Sequence, residues 1–172
     1  MPILPLLLIA QAAGAPAPTP APAPADPMAD LQPAAERAIV AAAKACVGST
    51  VDPAGQDARV AGWQDVTPAK AGMTKADGRI LVRDNVKLIY KTGLDGGCVV
   101  MAKPDAAFDA TAFYGDVGKS LGVTVVTDPQ NPVTNLPNGE VLIVQVVDKD
   151  GTRLAMIVVG NPKGNHSTQE GK

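Results

Sequence analysis

VKLIYKTGLDGGCVVMAK, residues Val86 to Lys103, is the stretch whose reading decides the fold. Val86, Leu88 and Tyr90 alternate with Lys87 and Lys91, the period-two pattern of a strand with one face turned to a core. Asp95-Gly96 and Gly97 tolerate the positive φ of a tight reversal, so the chain is expected to return on itself as a β-hairpin. On the return strand Cys98, Val100 and Ala102 fall on one face, and Val99, Met101 and Lys103 on the other. A cysteine in mid-strand is normally buried, so the purpose of Cys98 depends on where its counterpart sits.

The only other cysteine is Cys46. It closes the apolar stripe Leu31, Ala35, Ile39, Ala42 and Cys46, whose spacing of three and four residues predicts a helix over Asp30 to Val47. Asp30 is suited to cap that helix, Pro33 to its first turn and Gly48 to its exit. The stripe must face something apolar, and the hairpin is the nearest candidate. A Cys46–Cys98 disulfide joining helix to sheet is therefore expected, with the two cysteines 52 residues apart.

Other elements follow outward from this pair. Ser49 to Gly78 is polar and punctuated by Gly and Pro, with a short helix expected near Asp57 to Ala61. The sole tryptophan, Trp63, lies in this connection and is expected to plug the edge of the core rather than to offer a binding surface. Arg79 to Arg83 alternates as a short strand, and Asp84-Asn85 turns it into the hairpin. Asp105 is expected to cap a second helix running to about Leu121, in which Gly115 and Gly118 are weak points. Val123 to Thr127 reads as a strand, and Asp128 to Gly139, with three prolines, as irregular. A final hairpin joins Glu140–Val147 to Thr152–Val159 through Asp148-Lys149-Asp150-Gly151. Its strands are apolar almost without interruption, which predicts burial on both faces, by helices, a partner or a ligand.

The expectation is thus an α+β domain over residues 30–160: an antiparallel sheet of about five strands with two helices packed on it and one disulfide. That element order resembles the outline of small profilin- and PAS-type sensor domains, a likeness that rests on no residue motif and transfers no function.

The flanks speak to location. Ile3 to Ala13 is apolar apart from Pro5 and Gln11 and leads to the small residues Ala12 to Ala15, so residues 1–15 are expected to be a signal peptide. That run falls short of the roughly 18 apolar residues needed to span a bilayer. Residues 16–29, dominated by alternating Ala and Pro, form a stiff spacer, and 161–172 a polar tail. A periplasmic or secreted location follows, consistent with a disulfide. The net charge is −2 with no basic run, which argues against nucleic acid as a partner.

Each motif with a chemical reading fails on its context. Gly118-Lys119-Ser120-Leu121-Gly122 matches the G-x-S-x-G of a hydrolase elbow, with Asp128 or Asp148 and then His166 in the order of a triad. That elbow needs a strand entering and a helix leaving, whereas here a helix enters. A phosphate loop would require glycine at Phe113. A calcium loop starting at Asp148 would require a carboxylate at Val159. One histidine and two separated cysteines give no zinc site, and no cofactor motif is present. The leading expectation is a small exported, non-enzymatic domain that binds a partner protein or small ligand in the cell envelope. Its site would lie on the Asp128–Gly139 loop, the Gly93–Gly97 turn or the apolar face of the last hairpin. The alternatives are a small hydrolase using Ser120 or paired carboxylates, and a homodimer formed through the exposed part of the sheet.

Overall fold

The structure is a computed structural model, and it describes residues 31–67, 78–93, 96–149 and 151–162. The expected signal peptide and linker, the Asp30 cap, Asp95, Asp150, His166 and the tail from residue 163 onward lie outside the described residues.

Among these residues the elements are β1 (Pro33–Ala34), α1 (Glu36–Cys46), α2 (Gln56–Arg59), β2 (Gln64–Asp65), β3 (Arg79–Arg83), β4 (Val86–Lys91), β5 (Gly97–Pro104), α3 (Ala110–Leu121), β6 (Val133–Asn135), β7 (Val141–Lys149) and β8 (Thr152–Gly160). The class is α+β as expected, but the sheet has eight strands instead of about five and there are three α-helices instead of two. The strand order is β2-β3-β4-β5-β8-β7-β6, antiparallel throughout, and β1 pairs in parallel with the end of β5.

The hairpin built on Val86–Lys103 is the middle of this sheet. β4 and β5 pair with Leu88 opposite Val100 and Tyr90 opposite Cys98, and all four are buried. β3 joins β4 through Asp84 and Asn85, both at positive φ (49° and 64°), a two-residue turn whose twist suits a hairpin. β4 and β5 form the expected hairpin, and Asp95 in its reversal lies outside the described residues. Positive φ falls on Gly93, and Gly97 is already the first residue of β5. Gly96 is needed for space, because a side-chain carbon there would collide with the Lys91 carbonyl.

α1 begins later than the apolar stripe suggested. Pro33 is a strand residue, opposite Lys103, and the helix starts after Ala35 with no side-chain cap. An extended Pro33 offers no N–H to a ladder but suits a short edge strand. From there Ile39, Ala42 and Cys46 are fully buried, as the stripe predicts, joined by Ala43 and Ala45. α1 packs on β4, β5 and β8 and beside α3, whose Phe113 and Val117 enter the same core.

α3 also starts later than expected. Asp105 accepts from Ala107 N in a turn, while Asp109 caps the helix by accepting from Thr111 N and Ala112 N. At the other end Gly122 adopts a left-handed conformation and Val123 N donates to the Gly118 carbonyl, closing the helix. This fold-back takes Val123–Thr127 away from any strand partner, so the expected strand does not form. The pairing falls instead on Val133–Asn135, between Pro132 and Pro137, within the stretch expected to be irregular. Three residues free of proline suffice for a short edge strand.

Both large helices cover the same face of the sheet. Leu81, Leu88, Val100, Leu142, Ile157 and Val159 on that face are completely buried. Expected burial on both faces of the last hairpin holds only in part: on the opposite face Leu154 is buried, but Ile143, Val158 and Met156 are only half-buried. Among the described residues these continuous apolar strands have no second helical layer.

Candidate binding surface

The disulfide is formed between Cys46 and Cys98, with Cα atoms 5.3 Å apart. It ties α1 to β5 at the centre of the sheet, so the strand that carries Val99 and Met101 outward is braced from behind.

A second brace is a buried carboxylate that sequence reasoning passed over as the start of a strand. Glu140 is 1% exposed. Its Oε2 accepts from Gly48 N (2.6 Å) and Asn138 Nδ2 (2.7 Å), and its Oε1 from Thr50 N (2.9 Å) and Thr50 Oγ1 (2.7 Å). Burial works to raise its pKa, but the Thr50 hydroxyl, the two backbone amides and Asn138 outweigh it and hold the carboxyl below its usual value. Glu140 thereby pins the chain leaving α1 to the chain entering β7. The local sequence announces only the Asn138 bond, since the other three donors lie 90 to 92 residues away.

A third tie is Arg79, which holds Asp57, Asp65 and the Tyr90 hydroxyl, and lies 5.7 Å from the Tyr90 ring centre. Asp65 is also held by the Thr67 hydroxyl and amide, and its pKa falls to about 2.

These ties brace the sheet from behind; among the described residues no helix packs on its opposite face, although Leu154 is buried there and Leu31 lies beside Met101, Leu154 and Met156. Strand register lines up Ile80, Ile89, Val99, Val158, Ile143 and Val133 in one row across six strands. Five are half-buried and Val133, on the edge strand, is 38% exposed. Beside this row Met101 stands opposite Met156. Val147, 42% exposed, continues the apolar character toward the end of the hairpin. Every member of the row is β-branched, so the ridge is stiff as well as apolar.

The residues singled out from sequence are dispersed. Ser120 lies in the last turn of α3 with its hydroxyl donated to the Val117 carbonyl, so the elbow geometry is not formed around it. The Asp128–Gly139 loop carries β6 and the buried Thr134, whose hydroxyl receives Val126 N. Gly93 N donates to the Ser49 carbonyl, and Leu94 and Asp95 lie outside the described residues. Trp63 is half-buried and packs on the core, as expected of a plug, while also walling a groove with Ala41, Lys44, Arg59 and Arg83. Among the described residues no cluster of His, Cys, Asp and Glu is placed to hold a metal, and no helix is long and apolar enough to cross a membrane. Of the surfaces expected from sequence, only the apolar face of the last hairpin is enlarged by the fold, through alignment with β3, β4 and β5.

No protein-family model, curated protein or solved structure matches this chain.

Proposed function

We propose that this chain is an exported binding module of the cell envelope, and that it holds a partner protein on the open face of its sheet. The observation that carries the reading is the in-register row of six β-branched residues, none of them fully buried, on the face of the sheet opposite α1. Contiguous apolar surface of this kind costs solubility unless it is used, and its common use is contact with another protein. The fold supports that use by bracing the platform from behind with the disulfide and the Glu140 clamp, which lowers the ordering cost of docking. An export-like start and an Ala/Pro spacer fit a domain held at a distance from its point of attachment or release.

The test compares the immobilised chain with an Ile89→Asp/Val158→Asp variant and with a Val126→Asp control placed away from the face, using envelope extract of the producing cell. The reading predicts a protein retained by the parent and the control and lost from the double variant, with all three melting cooperatively. Retention that is equal on all three removes the face from the account.

A further inference from the structure

We propose that the chain's own segment Pro22 to Asp30 lies back along β5 on the face opposite α1, over Val99 and Val158, and that a docking partner must displace it. The regulatory half of this inference rests on the docking reading above; the contact itself rests on the path of the chain at Leu31. β1 pairs in parallel with the end of β5, Pro33 opposite Lys103. It is fixed there by Asn85 Nδ2, which donates to the Pro33 carbonyl (2.8 Å), and by Asp105 N, which donates to the Ala34 carbonyl (3.0 Å). Followed backwards from Pro33, the chain therefore heads along β5 toward Met101. Both edges of β5 are already taken there, by β4 and by β8, so the segment has no ladder to join and must ride over a face. Leu31 shows which one: it lies beside Met101, Leu154 and Met156, and Leu154 is only 7% exposed although its parity places it on the side away from α1.

The sequence upstream of Leu31 suits that path. Its Ala/Pro alternation favours a polyproline helix, which forms no ladder and repeats every three residues. On that repeat Leu31, Met28, Ala25 and Pro22 share one side, all apolar, and both acids of the segment, Asp26 and Asp30, fall on the others. A rise of about 3.1 Å per residue carries Met28 about 9 Å beyond Leu31. At about 3.3 Å per residue along β5, that is within one residue of Val99. Beyond Val99 and its partner Val158 come Gly97 and Gly160, paired with each other, and a side-chain carbon at Gly160 would meet nothing within 4 Å. The ridge thus ends in a shallow seat for an apolar side chain. The nine residues reach about 28 Å, more than the roughly 20 Å from Lys103 to Gly97. A contact this small is too weak to hold a separate peptide, but tethering supplies an effective concentration of order millimolar.

The experiment uses the full chain with labelled Met, Ile, Leu and Val methyl groups for NMR. The expected result is a set of NOEs from the Met28 methyl to Val99 and Val158 within one molecule. Met28→Asp should remove them, shift both valines and raise retention of the envelope partner about fivefold, the factor for a face that is open about one fifth of the time in the parent. Met28→Leu should behave as the parent does. Met28 precedes the first element, so unchanged Ile39 and Leu88 methyl signals verify that the fold is intact in both variants. Absence of NOEs from Met28 to the face overturns the inference and leaves the docking reading to its own test with Ile89→Asp/Val158→Asp. NOEs seen only between differently labelled molecules in a mixed sample put a second copy's segment in this place and overturn it as well. NOEs within the molecule but retention unchanged by Met28→Asp overturn the competition; if Ile89→Asp/Val158→Asp also leaves retention unchanged, the docking reading falls with it.

Discussion

Replacing Glu140 by Gln should destabilise the domain by about 2 to 4 kcal/mol, although the change keeps size and shape. Each carboxylate oxygen receives two donors, Gly48 N and Asn138 Nδ2 on one, Thr50 N and Thr50 Oγ1 on the other. An amide offers only one acceptor. Its NH2 group does least harm facing Thr50, where the hydroxyl can rotate to accept, but Thr50 N–H is then left buried without a partner. A stranded buried amide costs about 1 to 3 kcal/mol, and loss of charge assistance at the surviving bonds adds to it. Set against a total stability of roughly 5 to 15 kcal/mol, the loss is large. Guanidinium unfolding of parent and Glu140→Gln at pH 7, compared at equal m-values, measures it directly. Because burial opposes ionisation and the four hydrogen bonds overcome it, the folded pKa lies below the unfolded one. The contribution is thus present above the unfolded pKa and is lost as pH falls through the folded value. Parent and variant should converge in acid. A variant within about 0.5 kcal/mol of the parent at pH 7, the usual range for an unconstrained surface position, would refute the clamp.

Opening the disulfide by Cys46→Ala/Cys98→Ala should cost about 4 kcal/mol on the chain-entropy estimate for a 52-residue separation, a fall of roughly 15 °C in Tm by calorimetry. Acid should weaken the domain progressively from about pH 4 down to about pH 2. Asp65, held by Thr67 and Arg79, has its folded pKa lowered to about 2 and so stabilises above its unfolded value of 3.8; Asp65→Asn should flatten that limb of a stability–pH curve. Gly118→Ala should destabilise by about 1 to 3 kcal/mol despite improving helix propensity, since the new carbon would lie 2.6 Å from the Val123 carbonyl; Gly115→Ala, with open space around it, should be neutral or stabilising in the same melts.

Those two glycines show why part of the fold was legible and part was not. Periodicity located β3, β4, β5 and the buried stripe of α1, because alternating and three-to-four spacing are consequences of which face meets the core, while β7 and β8 were legible as unbroken apolar runs. It also brought Cys46 and Cys98 to the same interface. The ends of elements were misread where competing local signals were equally good: Asp105 and Asp109 are both helix-capping residues, and the turn at Ala107 decides between them. Pro33 was compatible with a helix start or an edge strand, and only its pairing with Lys103 selects the second. β6 was hidden because a three-residue strand between prolines carries no period. The open face was harder still. LIV and MIVV read as doubly buried, and only the shared core of α1, α3 and the inward strand residues shows that both helices lie on one side. The row Ile80 to Val133 exists only in register, so no local window of sequence contains it. Three of the four donors to Glu140, at Gly48 and Thr50, are non-local in the same way.

The most direct test of the docking account is site-specific photo-crosslinking in the producing cell, with benzoylphenylalanine placed singly at Val99, Val158 and, as a control, the exposed Lys119 on α3. The account predicts the same discrete adduct from Val99 and Val158 and none from Lys119. Adducts of equal yield from all three positions, or from Lys119 alone, would contradict it.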